Sequence, residues 1–301
     1  MRTLAFRRPP SVLGLVALVL PTLVGGCAGG VGETTARESR DLSLAGFSTN
    51  LVRVEVFNGE ISVRPGTAGH VTATVAVTGA GATKAEAEAD RARIATTLQE
   101  ATGAVVLRAV YQPDPTSPRN RGASAAVTVP AGSALELVTS NGKVNVAGVT
   151  GAIRIRTSNG EVTVDGAAAG LDVETSNGAI AVTASRGPLG LVSSNAKIGI
   201  AATDAAVTAS TSNGDIAFVG SLAAGPQSFE TSNAAISLQL GADATFNLDI
   251  ETSNAKVTVG YPVTTSETAS ETRLVGRVGA APAIAISART SNGGITILPA
   301  K

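Results

Sequence analysis

Apolar and polar residues alternate in short runs along most of the chain, and a polar turn separates each run from the next. One copy of the pattern reads Leu135-Glu-Leu-Val-Thr-Ser, then Asn141-Gly-Lys-Val-Asn-Val, then Ala147-Gly-Val-Thr-Gly-Ala. Alternation of this kind is typical of a β-strand with one buried face, so each copy predicts two strands. The predicted inward-facing residues are Leu135, Leu137, Val144, Val146, Ile153, Ile155, Val162, Val164, Ile180, Val182, Ile198, Ile200, Ile216, Phe218, Val257 and Val259.

The two strands of a copy meet at a corner, Thr/Ser-Ser-Asn-Gly/Ala, whose asparagine recurs at a constant interval in the middle of the chain. Later copies follow at wider and unequal intervals, and a long segment separates an outlying first copy from the next one. Self-similarity at a fixed period is the sequence signature of a solenoid in which each copy is one rung. The corner asparagines are Asn58, Asn141, Asn159, Asn177, Asn195, Asn213, Asn233, Asn254 and Asn292.

A structural role explains an asparagine at every corner. Asparagine tolerates left-handed backbone and bonds within its own turn. Identical amides stacked about 4.8 Å apart also form a ladder along the stack. The next residue is Gly in most copies but is Ala196, Ala234 or Ala255 in three, so glycine is not predicted to be compulsory there. The alternative, a row of hydroxyls and amides that grips sugar or ice-like water, stays open.

The repeat is interrupted after its first copy by a segment in which residues 83–102 predict a helix. Thr83 is its N-cap, and Glu86, three residues on, completes a capping box. The open end of a solenoid needs a cover, so this helix is interpreted as the N-terminal cap. Residues 261–285 are interpreted as a looped-out rung. The pattern predicts an all-β fold over residues 45–301: a single-stranded, right-handed parallel β-solenoid, or β-helix, of about 18-residue rungs with one short capping helix.

Composition narrows the classes of partner. Hydrophobic residues make up 44% of the chain and aromatic residues only 3%, which suits a narrow core of Val, Ile, Leu and Ala. The 23 acidic and 23 basic residues leave no net charge. Since nucleic acids and anionic membrane surfaces attract basic proteins, we predict no nucleic-acid partner.

The N-terminus has the features of a bacterial lipoprotein. Three arginines precede an apolar run that ends at Val24, and small residues then lead to Cys27, the one cysteine of the chain. The run is shorter than the roughly 20 residues of a spanning helix. Residues 1–26 are therefore predicted to be a lipoprotein signal peptide, Cys27 the lipidated first residue, and residues 27–44 its flexible tether. A cleaved secretory signal with an incidental cysteine, or a buried free thiol, stays open.

An enzyme would need convergent titratable groups, and the sequence offers few candidates. His70, the one histidine, lies at a predicted strand start and is interpreted as a surface residue. The pairs Asp172 with Glu174 and Asp249 with Glu251 resemble the carboxylate clusters of β-helical polysaccharide-cleaving enzymes. Calcium-binding nonapeptides and phosphate-cradling Gly-Lys-Thr loops do not occur in the sequence. We therefore predict no catalytic residue, no metal site and no cofactor.

The repeat also offers a structural explanation for most of the charged residues. At the period of the repeat, opposite charges stack between rungs as cross-strand pairs. The predicted columns are Glu136 with Arg154 and Asp172, Arg156 with Glu174, and Lys143 with Glu161. Arg119 and Arg121 lie in a proline-bearing loop and are interpreted as solvated rather than as a basic binding patch.

The lipobox, the N-terminal copy with its inserted helix, and the Thr-Ser-Asn-Gly-x-Ile/Val repeats together resemble the bacterial putative adhesin family of unknown function. The resemblance covers about residues 45–301. It implies a β-solenoid in the cell envelope without established catalytic residues, and some relatives belong to envelope-stress systems.

We expect a non-catalytic, lipid-anchored envelope protein that acts as an adhesin or interaction scaffold. It would contact the membrane through Cys27 and an unknown envelope protein or surface ligand through its faces. Ala28, rather than Asp, after the cysteine is similar to the outer-membrane sorting pattern of two-membrane bacteria. An accessory in envelope-stress signalling and a glycan-acting β-helix enzyme are the alternatives.

Overall fold

The computed structural model describes residues 33–112, 120–266 and 268–300, and within them the protein is all-β with one short helix. The strands form one mixed sheet. The elements in chain order are β1 Thr34–Ala45, β2 Leu51–Glu55, β3 Ile61–Gly66, β4 His70–Gly81, α1 Lys84–Ala92, β5 Ile94–Ala101, β6 Ala104–Tyr111, β7 Gly122–Pro130, β8 Ala134–Val138, β9 Val144–Ala147, β10 Ile153–Arg156, β11 Val162–Asp165, β12 Leu171–Thr175, β13 Ile180–Ser193, β14 Ile198–Thr211, β15 Ile216–Leu222, β16 Gly225–Glu230, β17 Ile236–Leu240, β18 Phe246–Thr252, β19 Val257–Val259, β20 Val263–Thr265, β21 Arg273–Val278, β22 Ile284–Thr290 and β23 Ile295–Pro299.

Parallel strands stacked one repeat apart form the middle of the molecule. Ile153 of β10 lies opposite Leu135 of β8 on one side and Leu171 of β12 on the other. Strands β9, β11 and β13 stack with the same offset. Each rung therefore contributes two strands, and their alternate apolar side chains fill a narrow solenoid-like core.

The predicted inward positions are confirmed from the first to the last regular rung. All of those between Leu135 and Phe218 are buried. Val257 and Val259 of β19 are only half-buried. The reason is their place in the stack: β19 pairs with β23 on one side, and on its other side Val257 N–H donates to the carbonyl of Glu271 in a loop.

Antiparallel strands cover both ends of the parallel stack. At one end β4 pairs with β7, β1 pairs with β4, and β5 pairs with β6. At the other end β21 pairs with β18 and β20 pairs with β21. An uncovered parallel end would expose a row of unpaired N–H and C=O groups, and these strands satisfy them. The sheet is consequently mixed, and the expectation of a purely parallel β-helix does not hold at the ends.

The predicted helix over residues 83–102 is half as long as expected. Its start is confirmed, because Thr83 and Glu86 form the capping box. The helix ends at Ala92, and Ile94–Ala101 is strand β5, paired with β6. Ile94 and Leu98 are four residues apart, a spacing that fits a helix face and also one face of a strand. Pairing with β6 decides between the two.

Helix α1 packs on β4, where small residues allow a close approach. A Cβ at Gly79 would lie 2.5 Å from the carbonyl oxygen of Ala87, and one at Gly81 would lie 2.6 Å from the backbone nitrogen of Ala87. The helix therefore lies against the strands added outside the stack, which agrees with its interpretation as a cap.

The predicted tether is shorter than expected. Residues 34–44 belong to β1, which pairs antiparallel with β4 along its whole length, from Thr34 opposite Gly81 to Ala45 opposite His70. Most of the stretch is polar, so its sequence predicted a linker. It pairs instead with the edge of β4, and Leu42 near its end is buried in the core. Cys27 and the predicted signal peptide lie outside the described residues.

The rungs at both ends are stacked in an order that differs from the chain order. The inserted segment supplies β6 and β7, which pair with the outer edges of β2 and β3, while β8 and β9 pair with their inner edges. At the other end, β22 pairs in parallel with both β16 and β18, and β23 with both β17 and β19. The last rung of the chain is therefore the second-last rung of the stack.

The looped-out rung predicted for residues 261–285 is a β20–β21 hairpin that leads back to the stack. Tyr261 anchors its start, because its hydroxyl donates to the carbonyls of Leu240 and Gly241 at 2.9 and 3.0 Å. Burial raises the pKa of this phenol. The hairpin carries the chain around β18 and β19, and this detour is why 38 residues separate the last two corner asparagines.

Candidate interaction surface

The amide side chains of the corner asparagines form one continuous column. Except for Asn58, whose Nδ2 donates to the carbonyl of Arg121, each Nδ2 donates to the Oδ1 of an asparagine on a neighbouring rung, for example Asn177 to Asn159 at 2.7 Å and Asn195 to Asn177 at 2.6 Å. The order in the column is Asn58, Asn141, Asn159, Asn177, Asn195, Asn213, Asn233, Asn292 and Asn254. The structure thus places all nine predicted asparagines in one ladder, on the exposed surface.

The ladder, rather than the backbone, explains the choice of asparagine. Among these nine residues only Asn58 has a positive φ, at 49°. Tolerance of left-handed backbone therefore does not account for asparagine at the other eight corners. Each ladder bond joins an N–H of one amide to the carbonyl oxygen of the next. A side-chain amide has two N–H donors and two acceptor lone pairs, so it can bond to a neighbour on each side.

Two residues before every corner asparagine except Asn58 lies a buried hydroxyl, which bonds in two directions. Thr175 Oγ1 accepts a hydrogen bond from Gly178 N–H at 3.1 Å, which closes the corner. Ser193 Oγ on the next rung donates to the carbonyl of Gly178 at 3.2 Å. The same cross-rung bond is made by Thr139, Thr211, Thr231, Thr252 and Thr290. The sequence pattern did not predict this bond, although the recurrence of Thr or Ser at that position from Thr139 onward was a signal.

Glycine after the asparagine is required in the rungs that have it, which corrects the expectation from the three alanine copies. A Cβ at Gly160 would lie 1.7 Å from the carbonyl oxygen of Gly142, and one at Gly178 would lie 1.8 Å from that of Gly160. Backbones at these corners therefore approach more closely than a side chain permits. Nothing in the structure explains why Ala196, Ala234 and Ala255 are accommodated.

The charge columns predicted from the repeat are confirmed on the outward faces. Lys143 contacts Glu161 at 2.9 Å, and this hydrogen bond raises the pKa of the lysine. Arg154 contacts Asp172 at 3.0 Å and Arg156 contacts Glu174 at 3.4 Å. Glu136 pairs instead with Arg53 on the preceding rung, at 2.7 Å.

The second carboxylate pair lies in an arginine-rich network near the far end of the stack. Arg289 reaches Asp249 at 2.8 Å and Glu251 at 3.0 Å. Arg273 reaches the same two carboxylates at 3.3 and 2.7 Å. Two guanidinium groups thus face two carboxylates, and each carboxylate pairs with both arginines.

A buried carboxylate in the capping region was not predicted. Asp90 of α1 accepts a hydrogen bond from Ala80 N–H at 3.1 Å and one from the Tyr111 hydroxyl at 2.7 Å. Arg121 contacts Asp90 at 3.5 Å and lies 4.0 Å from the centre of the Tyr111 ring. Arg121 is therefore a packed residue, and its interpretation as solvated is wrong. Arg119 lies outside the described residues.

His70 occupies the position expected from the sequence. It is exposed at the start of β4, and its Nδ1 lies 3.1 Å from the carbonyl of Ala68. In the described part of the chain, no three His, Cys, Asp or Glu side chains are grouped as a metal site would require.

A groove of about 690 Å³ runs along the outward side of β8, β10, β12, β13 and β14. Small apolar residues line it, among them Ala134, Ala152 and Pro188. The Arg154–Asp172 pair also lines it. The groove combines apolar surface with paired charges.

Comparison with protein families identifies this architecture. Residues 49–298 match the model of the family described as Toastrack DUF4097. The chain belongs to the Toastrack family. No match was found among curated proteins.

Two solved structures resemble the chain at very low identity. A putative adhesin from Parabacteroides distasonis is 9% identical, with 87% of this chain and 97% of that chain covered and a TM-score of 0.35. A putative cell adhesion protein from Clostridium sporogenes is 8% identical, with 87% and 100% covered and a TM-score of 0.26.

Toastrack membership confirms the family resemblance found in the repeats. The match includes the inserted segment and the C-terminal hairpin, so both belong to the domain, whereas β1 precedes the matched region. Within the described ranges, no helix has the length and apolar character needed to cross a bilayer.

Proposed function

We propose that this Toastrack protein is a non-catalytic, lipid-anchored component of the bacterial cell envelope that binds another surface molecule as an adhesin or interaction scaffold. The observation that carries the proposal is the pairing of its carboxylates. Asp172, Glu174, Asp249 and Glu251, the candidates for an enzyme, are each paired with an arginine. Such pairs hold the register of stacked rungs and leave long, regular faces available for contact.

The outward groove is the part of these faces that best suits a ligand. Its surface alternates between apolar and charged groups over a volume of about 690 Å³, which supports binding of a protein or a surface polymer there. We further propose that the parallel part of the stack winds as a right-handed β-helix, because parallel crossovers are right-handed in nearly all sheets.

Lipidation of Cys27 is the first part of the proposal to test. The Cys27→Ser chain and the wild type are expressed in a bacterial host and separated into membrane and soluble fractions. We expect the wild type in the membrane fraction and the variant in the soluble fraction, because the proposal assigns membrane attachment to the acyl groups on Cys27. Equal membrane retention of both chains would contradict lipid anchoring.

Binding through the outward face is tested separately. The wild type and a Gly190→Arg variant, which fills the groove with a long charged side chain, are used to capture partners from intact envelopes. The control is a Lys197→Ala variant, because Lys197 is exposed and does not line the groove. We expect Gly190→Arg alone to lose the captured species. If both variants capture as well as the wild type, the groove is not the binding surface.

A further inference from the structure

The last rung of the chain occupies a slot between two other rungs. Strand β22 is hydrogen-bonded in parallel to β16 on one side and to β18 on the other. Strand β23 lies in the same way between β17 and β19. Its asparagine, Asn292, bonds to Asn233 and Asn254. The slot is therefore a complete receptor for one rung, with ladder partners on both sides.

The slot would accept the same rung from another copy of the chain. Recognition rests on parallel backbone pairing, on Ile286 and Ile295 entering the core, and on the asparagine ladder. None of these contacts depends on the covalent connection between β21 and β22. Exchange of such an element is a low-cost route to a dimer, because the exchanged contacts are identical to those in the monomer.

The connection between β21 and β22 is strained in the observed arrangement. Residues 279–283 form an exposed hinge in which Ala281 has a φ of 47°. Left-handed backbone is unfavourable for alanine, and a residue that precedes proline, here Pro282, strongly favours an extended conformation. In the monomer the hinge is closed, and Ala281 has a conformation that both preferences disfavour. An opened, extended hinge would release that strain.

The hinge is also long enough to let the rung leave its slot. In the monomer it crosses from β21 over β18 to β22, which is two strand spacings or about 10 Å. The six residue steps from Val278 to Ile284 span about 20 Å when extended. In the described structure one side-chain hydrogen bond holds the hinge. Asn247 Nδ2 donates it to the carbonyl of Pro282 at 3.3 Å.

We propose that two copies of this protein associate by reciprocal exchange of the C-terminal rung, residues 284–299. Each copy inserts β22 and β23 into the slot of its partner, and the hinge extends to connect them. The partner is a second copy of this chain, and the interaction is independent of Cys27 and of any ligand of the outward groove.

Two substitutions at one hinge residue test the exchange in opposite directions. The ring of proline locks φ at a negative value and is incompatible with the closed hinge, so Ala281→Pro should shift the protein towards the dimer. Glycine adopts positive φ freely, so Ala281→Gly should favour the monomer. Relief of one strained residue corresponds to a change of about tenfold in the equilibrium per hinge.

The measurement is size-exclusion chromatography with light scattering, on Cys27→Ser chains refolded from urea over a range of concentrations. We expect a dimer fraction that rises with concentration in the order Ala281→Gly, wild type, Ala281→Pro. Three monomeric chains at every concentration, or equal dimer fractions in all three, would overturn the proposal. If Ala281→Pro fails to fold, the comparison of Ala281→Gly with the wild type still decides.

A disulfide shows whether a dimer is an exchanged one. Ser237 of β17 lies directly opposite Thr296 of β23, so Ser237→Cys and Thr296→Cys together place two thiols within bridging distance. In an exchanged dimer, oxidation links two chains covalently, whereas in any other dimer the bond forms within each chain. Denaturing electrophoresis distinguishes the two. Only monomer-sized bands from the oxidised dimer peak would refute the exchange.

Discussion

Asn254 and Asn292 are neighbours in the amide ladder, but they differ in their number of partners. Asn292 bonds to Asn233 and to Asn254 at 2.7 and 2.8 Å, whereas the ladder reaches Asn254 from Asn292 and ends there. Chain order makes the opposite prediction, in which Asn292 is the terminal member. Alanine at each position therefore tests both the ladder and the observed order of the rungs.

The expected magnitudes follow from the number of bonds and from their exposure. The ladder asparagines lie on the surface, so water replaces a lost partner and the cost per bond is the net value of about 0.5–1.5 kcal/mol rather than that of a buried unsatisfied group. Asn254→Ala removes one ladder bond and should lower the free energy of unfolding by about 1 kcal/mol. Asn292→Ala removes two and should cost about twice as much. Asn177→Ala, in the middle of the ladder, should match Asn292→Ala.

Urea denaturation followed by circular dichroism provides the free energies, on condition that the denaturant slope is the same for all variants. A larger loss for Asn254→Ala than for Asn292→Ala would refute the inserted position of the last rung. Small and equal losses at all three positions would show that the ladder contributes nothing measurable. Ligand binding by the corner would then become the better explanation of the recurrence of asparagine.

Three further results are expected. Gly178→Ala should cost about 1–3 kcal/mol by forcing the corner apart, while Gly190→Ala, where a Cβ meets ordinary contacts, should be neutral or slightly stabilising in the same denaturation assay. Replacing Asp172 by Asn and Glu174 by Gln should cost under about 1 kcal/mol in total, since both pairs are exposed; a larger loss would mean that the columns do more than hold register. Hydrogen bonds from the Ser48 hydroxyl and N–H hold the pKa of Glu100 below its ordinary value, so their stabilisation is present at neutral pH and is lost as pH falls through that pKa. Glu100→Gln should therefore be less stable than the wild type at neutral pH and equal to it in acid, and a constant difference across this range would contradict the assignment.

Much of the interaction surface was predictable because the repeat places equivalent residues in columns. The ladder, the inward positions and the pair Arg154–Asp172 all follow from one fixed period and the alternation within it. The contacts that were not predictable join residues without any periodic relation. Asp90 lies in α1 and Arg121 lies just before β7, and only the packing of the capping region brings them together.

The sequence by itself determined the rung, because local alternation and a recurring corner specify two strands and the side chains between them whatever lies next to that rung. It also determined the start of α1 through its capping box. Tertiary structure decided how the rungs are ordered and how the ends are covered. Every rung presents nearly the same edge, so the local pattern fits several stacking orders equally well. The order is selected by the lengths of the connecting segments and by the need to satisfy exposed strand edges. For this reason β1 is a strand rather than a tether, β5 is a strand rather than helix, and the last rung of the chain lies inside the stack.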